Sequence, residues 1–240
     1  FRNQNFVLVW WAGLISMLGN YMLFIALPVY IFDKTASTLS TAFSVMGGGL
    51  ATIIVGQVGG VFVDRWQYKP TLVIANSLLV FVTLAFLSAT YLPWWMVIPV
   101  AFLQSAIGQF LGPAENAILP TLVDDELLAS ANSLNALNNN LARLAGPALG
   151  GLLVSTLGFS TVVIIDAATY LVAVILLLFV NAPKVRRERT QMLNPYKRVF
   201  LEWQAGLQVV ARNKSLTLSF IVVAFIGLGE GTISTLMAPW

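Results

Sequence analysis

Gly146-Pro147-Ala148-Leu149-Gly150-Gly151 stands inside a charge-free run from Leu144 to Ile165, directly after an arginine, Arg143. Glycine and proline ordinarily punctuate loops. A loop in hydrocarbon, however, would leave backbone N–H and C=O groups without partners. The stretch therefore predicts a transmembrane helix that either bends or lets a second helix come close. Both readings point to a moving part.

Composition agrees with a membrane setting. Of 240 residues, 58% are hydrophobic and 10% charged, whereas a soluble domain carries about a quarter charged residues. The chain has no histidine and no cysteine. That excludes His/Cys zinc sites, Ser-His or Cys-His catalysis within the chain, and disulfides. It also lacks the Gly-x-x-x-x-Gly-Lys-[Ser/Thr] phosphate loop. Gly227-Leu228-Gly229-Glu230-Gly231 follows no strand pattern and is not read as a nucleotide loop. No enzymatic activity, cofactor or metal site is expected. The net charge of +3 comes from bases clustered at helix ends, so no nucleic-acid partner is expected either. The chain opens on Phe1 without a signal peptide and stops at Trp240 in an apolar run, as if cut from a longer protein.

A spanning helix needs roughly 20 mostly apolar residues. Seven stretches qualify: Phe6–Phe32, Leu39–Val63, Thr71–Leu92, Trp94–Leu119, Asn132–Leu157, Phe159–Val180 and Ser215–Trp240. Pro93, flanked by Tyr91 and the Trp94-Trp95 pair, reads as an interfacial turn. The expected organisation is a six-helix lobe (1–181), a basic linker with an amphipathic helix (182–214), and the first helix of a further lobe (215–240). With a cytoplasmic N-terminus, the inner side would hold Arg2, Arg65, Lys69 and all the basic residues from Lys184 to Lys214, the outer side Lys34 alone. That asymmetry sets the expected orientation. A weak resemblance between the Gly19-Asn20…Pro28 and Gly229-Glu230…Pro239 regions suggests that the seventh span begins a second copy of the unit.

Charges at membrane depth default to function. Glu115, Arg143, Asp166 and Glu230 are the four candidates. Gln104, Gly108, Gly112 and Glu115 share a face of the fourth span at helical spacing, as do Asn132, Asn135, Asn139 and Arg143 on the fifth. Two such stripes on neighbouring helices predict a shared wet cavity, since either would be costly against lipid. Arg143 is expected to lean toward Glu115 as a proton- or substrate-sensitive pair, with a static salt bridge as the plainer alternative. Asp166 reads either as a functional carboxyl or as a solvated or hydrogen-bonded helix residue. Glu230 reads either as a proton carrier or as a neutral acid bonded across helices. Asn20 and Gln104 complete the expected cavity lining.

Between the second and third spans, Gly60-Val61-Phe62-Val63-Asp64-Arg65-Trp66-Gln67-Tyr68-Lys69 places Asp64 and Arg65 at the cytoplasmic mouth. Gly56 and Gly60 have the small-x-x-x-small spacing of close helix approach. Asp64 is expected to cap a neighbouring helix or pair with a cation, in contacts that rocking could break. An ordinary charged loop is the alternative.

These residues resemble the N-terminal half of a major facilitator superfamily transporter with its seventh helix attached. Gly60, Asp64, Arg65 and Lys69 are similar to that family's loop signature, with Gln67 and Tyr68 replacing an expected glycine and arginine. Gly146, Pro147, Gly150 and Gly151 are similar to the fifth-helix signature of its proton-coupled antiporters, with Ala142 in place of the leading glycine. Gln104 stands where the family has an arginine. Gly112-Pro113-Ala114-Glu115-Asn116-Ala117-Ile118-Leu119-Pro120 resembles a bacterial exporter subgroup that handles macrolides and a siderophore. The resemblance implies an all-α, twelve-helix protein of the bacterial inner membrane. It also implies export of a small amphipathic molecule against entering protons, and dependence on a C-terminal lobe that this chain lacks. An uptake permease of the same fold, or a non-transporting membrane sensor or assembly partner, would be the competing readings.

Overall fold

The computed structural model of the chain describes residues 3–183 and, beyond them, 210, 213, 215–219, 222, 225 and 229. Seven α-helices run through the first of two compact units, Phe1–Lys184. They are α1 (Gln4–Thr35), α2 (Thr38–Val63), α3 (Tyr68–Ala85), α4 (Val97–Gly108), α5 (Leu111–Leu122), α6 (Leu128–Leu157) and α7 (Phe159–Phe179). Short 3₁₀ turns extend α3 to Thr90 and lead into α4 and α6. In the second unit, Val185–Ala238, the Asn213 side chain accepts from Ser215 N at 3.1 Å and starts the helical residues 215–219. The expected amphipathic helix of the linker and most of the seventh span lie outside the described residues, as does Glu230.

Helix ends are set by local chemistry. Asn3 caps α1, its Oδ1 accepting from Asn5 N at 3.0 Å and Phe6 N at 3.4 Å, and its amide also donates to the Leu122 carbonyl at the end of α5. Ala36 terminates α1 in the left-handed region (φ 49°), returning its N–H to Phe32 O. Ser37 then caps α2 by accepting from Ser40 N at 3.3 Å. The chain after α7 is tied back to the start of α1 by Asn181 N, which donates to Asn5 Oδ1 at 2.7 Å.

The fourth span departs from expectation. It is two helices, with a turn at Gln109 and Phe110 between α4 and α5. Pro113 lacks the N–H that would bond Gln109 C=O, and its ring crowds that carbonyl, so a continuous helix is disfavoured there. Gln104 and Glu115 consequently do not share one helical face. Pro147 has the same defect but leaves α6 unbroken.

α1 is the centre of the bundle, packed against α2, α5, α6 and α7, and α7 in turn packs on α3. Two apolar layers form around it. Toward the expected outer side, Met22, Leu23, Ala26, Leu27 and Ile31 meet Phe86, Val97, Phe159 and Val163. Toward the inner side, Val9 and Ala12 meet Leu72, Ala114, Ile118, Leu122, Ala173 and Leu177. Outside, the bundle is greasy: Ile53, Phe81, Leu152, Leu171 and Phe179 are exposed. Five helical stretches among the described residues are long and apolar enough to cross a membrane. α6 is long enough too, but its asparagines lower its hydropathy below theirs.

Candidate functional site

Two groups of buried polar residues, including both buried carboxyls, sit at glycines of α1, Gly13 and Gly19. Six residues of helix set these about 9 Å apart along the axis.

At Gly13 the missing side chain makes room for Glu115 from α5 and Asn138 from α6. A Cβ there would lie 3.4 Å from Glu115 Oε1 and 3.6 Å from Asn138 Nδ2. Asn138 is fully buried and its Nδ2 donates to Trp10 O at 2.8 Å. That bond fixes the amide, because only the NH₂ end can donate. Ser16 closes the cluster, its hydroxyl donating to Gly13 O at 3.2 Å.

At Gly19 the room is taken by α7. A Cβ would collide with Thr169 and come within 2.5 Å of Asp166 Oδ1. Asp166 is fully buried, not solvated. Gln104 Nε2 bridges it to α3, lying 3.4 Å from Asp166 Oδ2 and 3.2 Å from Thr83 Oγ1. Thr169 Oγ1 donates to the Asp166 backbone carbonyl at 2.6 Å, and Tyr170 is buried beside the same groups. Gln104 is therefore a strut between α3, α4 and α7.

A third polar region is on the surface. Asn20, Asn116, Asn139 and Arg143 are exposed on α1, α5 and α6. Tyr21 OH lies 3.4 Å from Asn139 Oδ1, and Asn135 Nδ2 donates to Asn116 Oδ1 at 2.9 Å. Asn139 and Asn135 of α6 thus meet polar partners on α1 and α5, and Asn20 is exposed on α1. Arg143 does not join Glu115: it is on the exposed face of α6 while Glu115 is buried against α1, and no ion pair links the two among the described residues. The reason is helical phase. Asn138, Ala142, Gly146 and Gly150 form the buried line of α6, and Arg143 falls about 100° off it.

That buried line includes half of the Gly-Pro-Gly-Gly stretch. A Cβ at Gly146 would clash with Tyr21, and one at Gly150 would come within 2.8 Å of Met22 Cα. Gly151 meets nothing within 4 Å. The stretch is a notch that seats α6 on the backbone of α1. Gly60 likewise meets nothing, so its expected close approach is absent. The close approach of α2 occurs at other glycines. A Cβ at Gly47 would sit 2.5 Å from Ile98 O, and one at Gly59 3.0 Å from Gln109 O. In that seam Ser105 Oγ donates to Gly48 O at 2.9 Å and Gln109 Nε2 to Thr52 Oγ1 at 3.2 Å. Of the loop residues, Asp64 and Arg65 are exposed. Lys69 Nζ donates to Leu178 O at 2.9 Å, near the C-terminus of α7, where a cation is favoured.

Asn138, Gly13, Thr83 and Tyr170 were not singled out from the sequence. The four-residue recurrence Asn138, Ala142, Gly146, Gly150 was the available signal for the first, one helical step from the asparagine stripe that drew attention.

Among the described residues, a helical bundle with an apolar exterior and buried carboxyls between its helices defines a polytopic membrane protein. The family model of the Major Facilitator Superfamily matches residues 9–240. The chain belongs to that superfamily of transporters. It is 29% identical over 217 residues to macrolide efflux protein A of Streptococcus pyogenes, covering 88% of this chain and 52% of that protein. It is 29% identical over 177 residues to a putative multidrug resistance protein, MdtD, of Escherichia coli (70% and 36% covered). It is 31% identical over 153 residues to the enterobactin exporter EntS of Shigella boydii (62% and 37%). The chain spans about half the length of the first of these relatives.

Proposed function

We propose that this chain is the first lobe, with a seventh helix attached, of a secondary active exporter in a bacterial inner membrane. It would move a small amphipathic molecule, drug-like or siderophore-like, outward by alternating access, in exchange for entering protons. The observation that carries this reading is the hydrophilic face of α1, α5 and α6. An arginine and several asparagines are exposed on a bundle whose other faces are apolar, and such a face is tolerated in a bilayer only where it borders water or a protein partner. A second lobe on that side would enclose a cavity lined by Asn20, Asn135 and Asn139, with Gln104 deeper in the bundle. Rocking of the lobes would expose the cavity to each side in turn. The efflux and export named for two of these relatives, macrolide efflux protein A and the enterobactin exporter, favour export over uptake.

In this scheme Glu115, Arg143, Asp166 and Glu230 carry charge coupling. Asp64 and Arg65 latch the cytoplasmic mouth, supported by the lysine and arginine asymmetry that puts the N-terminus inside. The Gly146–Gly150 notch keeps α6 on α1 as one rigid piece. The test is Arg143→Gln in the complete transporter, with export of a substrate panel followed in cells with and without a proton gradient. Export lost with normal insertion supports the scheme; unchanged export removes Arg143 from coupling.

A further inference from the structure

Tyr21 of α1 reaches along α6 on the hydrophilic face. Its Cβ fills the side-chain space that Gly146 leaves empty, and its OH donates to Asn139 Oδ1 at 3.4 Å. The side chain thus leans toward the N-terminus of its helix, as helical side chains do. Asn139 and Arg143 are four residues apart and share one stripe of α6. In height Arg143 falls between Asn139 and Gly146, the two positions that Tyr21 touches. On α1, Asn20 and Phe24 are exposed one turn apart beside Tyr21.

What this face offers is hydrogen-bond donors. The Asn139 oxygen is engaged by Tyr21, which leaves its NH₂ group for a ligand. The oxygen of exposed Asn116 accepts from Asn135 Nδ2 at 2.9 Å, which again leaves an NH₂ group. The guanidinium of exposed Arg143 has N–H donors only and keeps its positive charge. Acidic groups are scarce at that depth. Among the described residues Glu115 and Asp166 are buried, and Asp33, Asp64, Asp124, Asp125 and Glu126 stand at helix ends or in the turns between helices.

We propose that this face receives an acidic amphiphile, a carboxylate or other oxyanion carried on an apolar aromatic body. Arg143 and the Asn139 amide bind the oxyanion, in the paired geometry that suits a guanidinium. Tyr21 and Phe24 take the apolar body. A cationic cargo would bring its charge to a guanidinium, and like charges brought together are rejected. Arg143 is then the residue that sets the charge of the cargo. The inference rests on the reading that this face lines the transport cavity, and adds to it the class of substrate.

The test uses the complete transporter in lipid nanodiscs. Three probes share one fluorophore and differ in charge: dansylglycine is an anion, dansylamide is neutral and dansylcadaverine is a cation. Dansylglycine should bind roughly tenfold tighter than dansylcadaverine, the worth of one hydrogen bond to a charged group. Arg143→Gln should remove that preference and leave dansylamide binding unchanged, while Arg143→Lys should keep part of it. Should Arg143→Gln fail to fold, the ranking of the three probes by the parent decides. Equal affinities, preference for the cation, no binding of any probe, or a preference that Arg143→Gln leaves intact overturns the acidic cargo. Labelling of Asn20→Cys by a membrane-impermeant thiol reagent, with any other cysteine in the transporter replaced, keeps the two readings apart. Labelling without a charge preference removes the acidic cargo and leaves the cavity standing. An Arg143-dependent preference with Asn20→Cys unlabelled does the reverse.

Discussion

Gly150 of α6 lies on the backbone of Met22 of α1, so close that an added Cβ would stand 2.8 Å from Met22 Cα. The neighbour there is main chain in the middle of a helix, which cannot swing aside as a side-chain tip can. Gly150→Ala would gain up to ~1 kcal/mol in helix propensity. It would lose about 1–3 kcal/mol to overpacking, because α6 must lift off α1. The net expectation is a lower thermal midpoint in detergent. Gly151→Ala meets open space and should be neutral or raise the midpoint slightly. Equal effects of the two substitutions would contradict the notch.

Gln104 and Asp166 make a second prediction. Gln104 Nε2 is the side-chain donor from another helix to the Asp166 carboxyl, reaching Oδ2 at 3.4 Å. Gln104→Leu leaves that carboxyl and Thr83 Oγ1 short of a partner, at a cost of roughly 1–3 kcal/mol. Asp166→Asn keeps an acceptor for Gln104 and should cost less. In a double-mutant cycle, the loss from Gln104→Leu should shrink when Asp166 is already leucine, since the two residues share one network. Additive losses, read from unfolding midpoints, would show that they act separately.

The loop signature yields a third. Lys69 Nζ donates to Leu178 O near the last turn of α7. Lys69→Met removes that bond and a favourable end charge, worth about 0.3–1 kcal/mol. Neutralising Arg65, which is exposed, should leave thermal stability within about 0.5 kcal/mol of the parent. A stability loss at Arg65 as large as that at Lys69 would contradict this division of roles.

Much of the architecture was legible in the sequence because a bilayer imposes simple rules. The apolar run lengths and the placement of Pro93, Gly158 and the basic residues located the helices of the first lobe. The break in the fourth span was less visible, because Gln104, Gly108, Gly112 and Glu115 recur at the spacing of one continuous helical face; Pro113 was the residue that decided it. The site was legible by residue type more than by pairing. Glu115 and Asp166 stood out as charges in apolar runs, but their partners depend on helical phase across three helices. A 100° error turns Asn138 into Asn139 and Glu115's neighbour into an exposed arginine. Gly13 carried no distinguishing signal and Gly19 stood out only in the weak repeat, since the role of both is to be empty where another helix's side chain arrives.

The central claim is that the Asn20, Asn139 and Arg143 face borders water in the assembled transporter. The chain has no cysteine of its own, so once any cysteine in the rest of the transporter is replaced, single cysteines report without background. With the complete transporter in intact membranes, a membrane-impermeant thiol reagent should modify Asn139→Cys, because the reactive thiolate forms only where water reaches it. It should leave Phe81→Cys, on an exposed apolar face of α3, unmodified. Equal and negligible labelling at 139 and 81 would place the polar face against lipid or sealed protein and contradict the account.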